Sequence, residues 1–172
     1  MILIGLGSNM GEREQNLQQA LGMLEADSSI RIEKISSIYE TAPFGVRDQD
    51  DFLNMVVAVD TKLSPEMLLQ KCLGVENAMG RVRSRHWGPR IIDLDLLFYD
   101  AVQMQTNNLT LPHPGIGQRA FVLIPMRDVA MDTQLQGGRT IDSMLAGVTE
   151  SGEQEVRLWK KVEWDSTRKC FV

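Results

Sequence analysis

The chain predicts an α+β fold, an antiparallel sheet with helices packed on one face. Three observations predict it. A short apolar run at 2–6 ends in Gly7-Ser8-Asn9 and gives way to Leu17, Ala20, Leu21 and Leu24 at helical spacing. A second helical stretch is bracketed by Ser64-Pro65 and Gly80. The remaining apolar segments are short and rich in β-branched residues, as strands are. The resulting order, βαββαβ, is the signature of a ferredoxin-like split βαβ core.

Taken in order, 2–6 is a buried strand, 7–9 its turn, and the stretch around 17–24 the first helix. Between 30 and 39, Ile30, Ile32, Ile35 and Ile38 suggest a strand with a break, and 52–59 supplies another strand. The segment 40–51 between them, with Ala42-Pro43-Phe44-Gly45 and the acidic Asp48-Gln49-Asp50-Asp51, has no periodicity and reads as a ligand-facing loop. Ser64 can cap free N–H groups, and Pro65 at the first helical position gives up a hydrogen bond that would be unmade anyway, so a helix is expected to 79. Gly80 supplies a left-handed stop, and 92–99 is the next strand. Thr140 to Leu145 reads as a short helix, and 154–164 as a strand pair or a surface extension. At 172 residues one domain is expected over 1–172, with 131–172 as its less readable extension.

Apolar residues at 43% and charged residues at 24% are ordinary for a globular protein. A net charge of −5 argues against a general nucleic-acid binder, but is compatible with a local basic cleft for a small polyanion. Cys72 and Cys170 have neither metal-ligand spacing nor the density of a disulfide framework. With no basic leader at Met1 and no run approaching the roughly 20 apolar residues that span a bilayer, the expectation is a cytoplasmic protein without a membrane partner.

The most informative stretch is 81–95. Arg81, Arg83, Arg85 and Arg90 place four of the eighteen basic residues within ten positions, and Asp93 and Asp95 follow at i, i+2. On a strand that spacing sets both carboxylates on one face, about 7 Å apart along the chain, with Ile92, Leu94, Leu96 and Phe98 on the other. Taken alone, Asp-Leu-Asp is more often a solvated strand face than a metal site. Beside clustered arginines it suggests a hard divalent cation such as Mg²⁺, which needs only one or two protein carboxylates and completes its shell with water and phosphate. The residues read as a phosphoryl-transfer site.

Several segments together resemble one family. They are Gly7-Ser8-Asn9, Tyr39-Glu40-Thr41 with Pro43 and Gly45, Phe52-Leu53-Asn54, Gly80-Arg81-Val82-Arg83, Trp87-Gly88-Pro89-Arg90 with Asp93-Leu94-Asp95, and Pro112-His113 with Arg119 and Phe121. In this order, across nearly the first 130 residues, they resemble the 6-hydroxymethyl-7,8-dihydropterin pyrophosphokinases of folate biosynthesis. The resemblance implies pyrophosphoryl transfer from ATP to the pterin alcohol, with ATP and 6-hydroxymethyl-7,8-dihydropterin as partners and a monomer as the working form.

It also implies roles. Asp93 and Asp95 would hold two Mg²⁺ ions with the ATP phosphates, and Arg81 and Arg90 would act catalytically beside them. Arg83, Arg85, His86, Trp87, His113 and Arg119 would bind ATP, with Leu96 and Thr110 near the adenine. His86 stands where many members carry arginine, which leaves that contact to Arg85 or makes it dependent on pH. Phe52 and Phe121, which the sequence alone would place in a core, would sandwich the pterin. Asn54, Thr41 and the backbone at Ala42 and Phe44 would bind its edge, and Glu76 would have a structural role. Leu73 and Pro114 depart from the usual pattern of the family.

Overall fold

The computed structural model describes residues 1–43, 48–80, 90–150 and 155–172. Its first elements are β1 (Ile2–Ser8), α1 (Arg13–Glu25), β2 (Ile30–Ile35), β3 (Ile38–Thr41), β4 (Phe52–Thr61), α2 (Pro65–Ala78) and β5 (Asp93–Tyr99). Then come β6 (Met104–Gln105), β7 (Thr110–Leu111), α3 (Ala120–Ala130), α4 (Ile141–Glu150), β8 (Val156–Lys160), β9 (Trp164–Asp165) and β10 (Cys170–Phe171). The main sheet runs β5-β1-β4-β3-β8, with β2 pairing to β4 beyond β3, and every pairing is antiparallel.

β2 and β3 are the broken strand expected at 30–39. At the break, buried Ser36 accepts from Val56 N–H at 2.9 Å through its hydroxyl, and its own N–H donates to the Val56 carbonyl at 2.9 Å. That stitching holds both segments on one edge of β4, with the same direction on either side of the break. α2 begins as expected, with the Ser64 hydroxyl accepting from Met67 N–H at 3.3 Å and Pro65 in the first turn. Gly80 closes it at φ +80°, a conformation that side-chain-bearing residues rarely adopt.

Strand alternation sorts residues onto two faces. One face carries Ile2, Ile4, Leu6, Leu53, Met55, Val57, Val59, Leu94 and Leu96, packed against Leu17, Leu21 and Leu24 of α1 and Leu68, Cys72 and Val75 of α2. The expectation of helices on one face holds only for this pair. α3 and α4 cover part of the opposite face, where Leu3, Val56, Ala58 and Leu97 meet Leu123, Met126, Ile141 and Met144.

Phe98 also departs from the expected pattern. The β1–β5 register shifts so that Ile4 faces Leu96 and Leu3 faces Phe98, leaving Leu97 as the extra residue of a bulge. The bulge reverses the parity, so Phe98 packs with Leu97 on the α3 side instead of with Leu94 and Leu96.

The residues after 131 join this framework. β8 pairs with β3 as the outer strand of the sheet, and β9 and β10 form a small hairpin in which Trp164 meets Phe171 edge to face at 5.8 Å. No helix among the described residues is long and apolar enough to cross a membrane. Ile4 is fully buried at the centre of the sheet, so Ile4→Ala should cost about 3 kcal/mol in urea unfolding without changing the circular dichroism of the native state.

Candidate functional site

The second face of the sheet is only half covered. Beside the first turn of α3, β1 presents Gly5 and Gly7 instead of apolar side chains, and both line an open cavity of about 270 Å³. The register builds two rungs there. Gly5 lies between Val56 of β4 and Asp95 of β5, and Gly7 lies between Asn54 and Asp93. A Cβ on Gly7 would crowd Asn54 Oδ1 at 3.0 Å, whereas one on Gly5 would meet a Leu97 methyl at 3.4 Å.

Thr41, Ala42, Phe52, Asn54, Phe121 and Val122 line one side of the cavity, and Arg90, Asp93, Asp95, His113 and Arg119 the other. The residues that the resemblance assigned to the pterin and those it assigned to the triphosphate therefore share one space. Asn54 is buried and its Nδ2 donates to Thr41 Oγ1 at 2.7 Å. That bond commits one amide hydrogen and leaves Oδ1 as an acceptor and the threonine hydroxyl as a donor.

On the charged side, Arg90 Nη1 lies 3.2 Å from Asp93 Oδ2. Arg90 itself is placed by Asn9, whose Oδ1 accepts from Arg90 N–H at 2.7 Å and whose N–H donates to the Arg90 carbonyl at 3.1 Å. The same buried amide donates through Nδ2 to Gln49 Oε1 at 2.8 Å and to the Asp50 carbonyl at 3.1 Å. Asn9 thus ties the first turn to both segments that border the cavity. Glu76, almost fully buried on α2, accepts from Leu94 N–H at 3.2 Å, which satisfies a backbone donor of β5 between the two aspartates.

His113 is positioned by its backbone N–H, which donates to the Leu97 carbonyl at 2.9 Å, and by Gly115 N–H, which donates to its Nδ1 at 3.1 Å. The neutral ring therefore carries its proton on Nε2. Burial lowers the His113 pKa, the Arg119 charge lowers it further, and Asp93 pulls in the opposite direction. Arg119 rests on Gly115, where a Cβ would come within 2.8 Å of its Cζ and Nε, and its guanidinium stands 5.8 Å from the Phe121 ring centre.

Two assigned residues do not join the cavity. Leu96 points to the opposite face and is buried against α1 and α2, because the i+1 neighbour of Asp95 must alternate away from it. Thr110 lies on β7, away from the lining residues. Arg81, Arg83, Arg85, His86, Trp87 and Phe44 lie outside the described residues. The sequence pattern gives Gly7 and Asn9 only as part of the first turn and assigns no role to Gly5 or Gly115; β1 runs on through Gly7 to Ser8, because both continue the pairing with β4. Gly5 and Gly7 left a visible signal, glycine at alternate positions of an otherwise apolar strand.

Among the described residues no cluster of three metal-ligating side chains occurs. The carboxylate pair of Asp93 and Asp95, two residues apart on one strand face and open to the cavity, is the donor set that a hard cation sharing its shell with phosphate requires.

The model of the 7,8-dihydro-6-hydroxymethylpterin-pyrophosphokinase family matches residues 3–131, three quarters of the chain. The chain belongs to this pyrophosphokinase family. A 2-amino-4-hydroxy-6-hydroxymethyldihydropteridine pyrophosphokinase of Methylorubrum extorquens is 46% identical over 153 residues, covering 89% of this chain and 96% of that protein. The Bacillus subtilis protein of the same name is 39% identical over 158 residues, covering 92% and 89%. Among solved structures, a crystal structure of an HPPK-DHPS in complex with substrates matches with a TM-score of 0.67 at 15% identity. That likeness covers 87% of this chain but 44% of the longer one, and is a likeness of fold.

In this pyrophosphokinase chain the two histidines, His86 and His113, give a simple NMR titration. The His113 midpoint should lie below about 6.5, so the ring is neutral at pH 7, and Arg119→Ala should move it upward by removing the second of the two lowering causes. A midpoint unmoved by the substitution would contradict the placement of Arg119 beside His113.

Proposed function

We propose that the chain transfers the pyrophosphoryl group of ATP to the hydroxymethyl oxygen of 6-hydroxymethyl-7,8-dihydropterin, giving AMP and the pterin pyrophosphate for folate biosynthesis. The observation that carries this reading is the single cavity whose two sides differ in chemistry: an amide, a hydroxyl and two phenylalanines on one, two aspartates, two arginines and a histidine on the other. Asn54 and Asp93 stand two strand spacings apart across β1, roughly 10 Å, which suits a flat heterocycle at one end and phosphates at the other.

Phe52 and Phe121 would hold the pterin by its faces, while Asn54 Oδ1, the Thr41 hydroxyl and the Ala42 backbone meet its polar edge. Arg90 and Arg119 present planar donor forks to the triphosphate, and His113 adds a neutral Nε2–H donor that contributes no further positive charge. Asp93 and Asp95 would hold Mg²⁺, two ions being expected with ATP, and the metal would offset the triphosphate charge and polarise the β-phosphorus.

The hydroxymethyl oxygen attacks the β-phosphorus in line, the bond from that phosphorus to the α,β-bridging oxygen breaks, and AMP leaves with the bridging oxygen. The hydroxyl proton is released to solvent. No described side chain in the cavity is placed as a strong general base, so the residues act by positioning two substrates and matching the charge between them. Arg81, Arg83, Arg85, His86, Trp87 and the Phe44 backbone complete the site in this reading. The chain works as one domain over 1–172, a monomer in the cytoplasm, with neither nucleic acid nor membrane as a partner.

The test is nucleotide analysis after incubation with ATP, Mg²⁺ and the pterin alcohol. AMP that depends on the pterin is expected, and Asp95→Ala should reduce it at least about a hundredfold while leaving thermal unfolding within a few degrees. ADP as the product, or AMP unaffected by Asp95→Ala, would overturn the assignment.

A further inference from the structure

β8 lies beyond the stretch matched by the family model, yet its Arg157 bonds two residues that adjoin the cavity lining in sequence. Arg157 Nη2 donates to Glu40 Oε1 at 2.9 Å and to Asp51 Oδ2 at 3.1 Å. Arg13 of α1 approaches the same place from the other side. Its Nη1 donates to Glu40 Oε2 at 2.9 Å and to the Asp51 carbonyl at 2.8 Å. The Glu40 carboxylate is thereby forked between two guanidiniums, and residue 51 is held by both, once through its side chain and once through its backbone. Trp159, on the same side of β8 as Arg157, places its ring 5.1 Å from the Arg13 guanidinium carbon.

What this clamp holds is specific. Glu40 and Asp51 immediately precede Thr41 and Phe52, which pair directly across β3 and β4 and face into the cavity together with Ala42 and Asn54. Glu40 in turn faces Arg157 in the β3–β8 register, so the bond is a cross-strand rung of the sheet. Burial alone would raise the Glu40 pKa, but the hydrogen bonds from Arg157 and Arg13 outweigh it and hold the carboxyl below its usual range. Both arginines are therefore bound to an ionised partner at neutral pH.

We infer that Arg157 is a positioning residue for the pterin: acting through Glu40 and Asp51, it braces the end of the β3–β4 pair that carries Thr41 and Phe52, and so holds the edge-binding and stacking groups in place. Its ion pairs among the described residues are with Glu40, Asp51 and Glu155, on the side of Thr41 and Phe52. Its influence is selective for one substrate. The inference rests on the pyrophosphokinase reading above and extends it to a strand outside the matched family region.

The experiment is steady-state kinetics of pterin-dependent AMP release for the wild type, Arg157→Met, Arg157→Lys, Glu40→Gln and the Glu40→Gln/Arg157→Met pair. Because Arg157 is half exposed and shares its partners with Arg13, the expected effect is moderate. Arg157→Met should raise KM for the pterin roughly three- to tenfold, with kcat and KM for ATP within about twofold of the wild type. Arg157→Lys should recover part of the loss, and the double variant should be no worse than the poorer single variant, since both changes remove one rung. A pterin KM within about twofold of the wild type in Arg157→Met overturns the inference, as does a parallel rise in KM for ATP or additive losses in the pair. Absence of AMP from the wild type would instead overturn the underlying reading.

Discussion

The antiparallel register of β4, β1 and β5 is the constraint on which the site depends. It sets Asn54, Gly7 and Asp93 on one rung and Val56, Gly5 and Asp95 on the next. Because strand side chains alternate, the same register that turns Ile4 and Leu6 into the core turns Gly5 and Gly7 outward, where their missing side chains leave a floor. A slip of one residue would bury the aspartates and expose the leucines, so the hydrophobic core on the α1–α2 side enforces the arrangement of the polar groups on the other. Stability and function are thus set by the two pairings of β1.

Electrostatics then distinguish the two ends of the floor. The chain carries net negative charge, yet Arg90 and Arg119 converge beside the carboxylate pair. This mixture suits a metal–polyphosphate complex better than either a bare anion or a bare cation, since each partner of the complex meets its opposite. Among the described lining residues the other end carries no formal charge and offers instead aromatic faces with one oriented amide. Around both ends, buried polar residues do the fastening. Asn9 joins the first turn to Arg90 and to residues 49 and 50, Glu76 satisfies a donor of β5, and the Glu40 carboxylate binds α1 to β8. Each is placed where loss of a partner would leave a buried or half-buried polar group unsatisfied.

Local periodicity made the βαββαβ core legible, because each element carries its own pattern: helical spacing in 17–24, the Ser64-Pro65 start, the Gly80 stop. Features that depend on distant partners were not legible. The bulge at Leu97 has no local signature, since Leu96-Leu97-Phe98 is equally apolar on either parity, and so Phe98 was placed on the wrong face. α3 is hard to read locally because Pro125 interrupts its interior and its N-terminus lacks a side-chain cap. Leu96 was carried over from resemblance, although the strand alternation that separates Asp93 and Asp95 from Leu94 also turns Leu96 away from the cavity. Asn9 and Arg157 act over separations of more than eighty residues, which no window of sequence reveals.

The glycine floor is the feature on which pterin binding depends most directly, and Gly7→Val tests it. Binding of 6-hydroxymethyl-7,8-dihydropterin would be measured by calorimetry alongside urea unfolding. Valine suits a strand, but its Cβ would fall 3.0 Å from Asn54 Oδ1 and its methyls would enter the slot. The account predicts that pterin binding is lost while the variant still folds cooperatively. A folded Gly7→Val protein that binds the pterin as tightly as the wild type would contradict it.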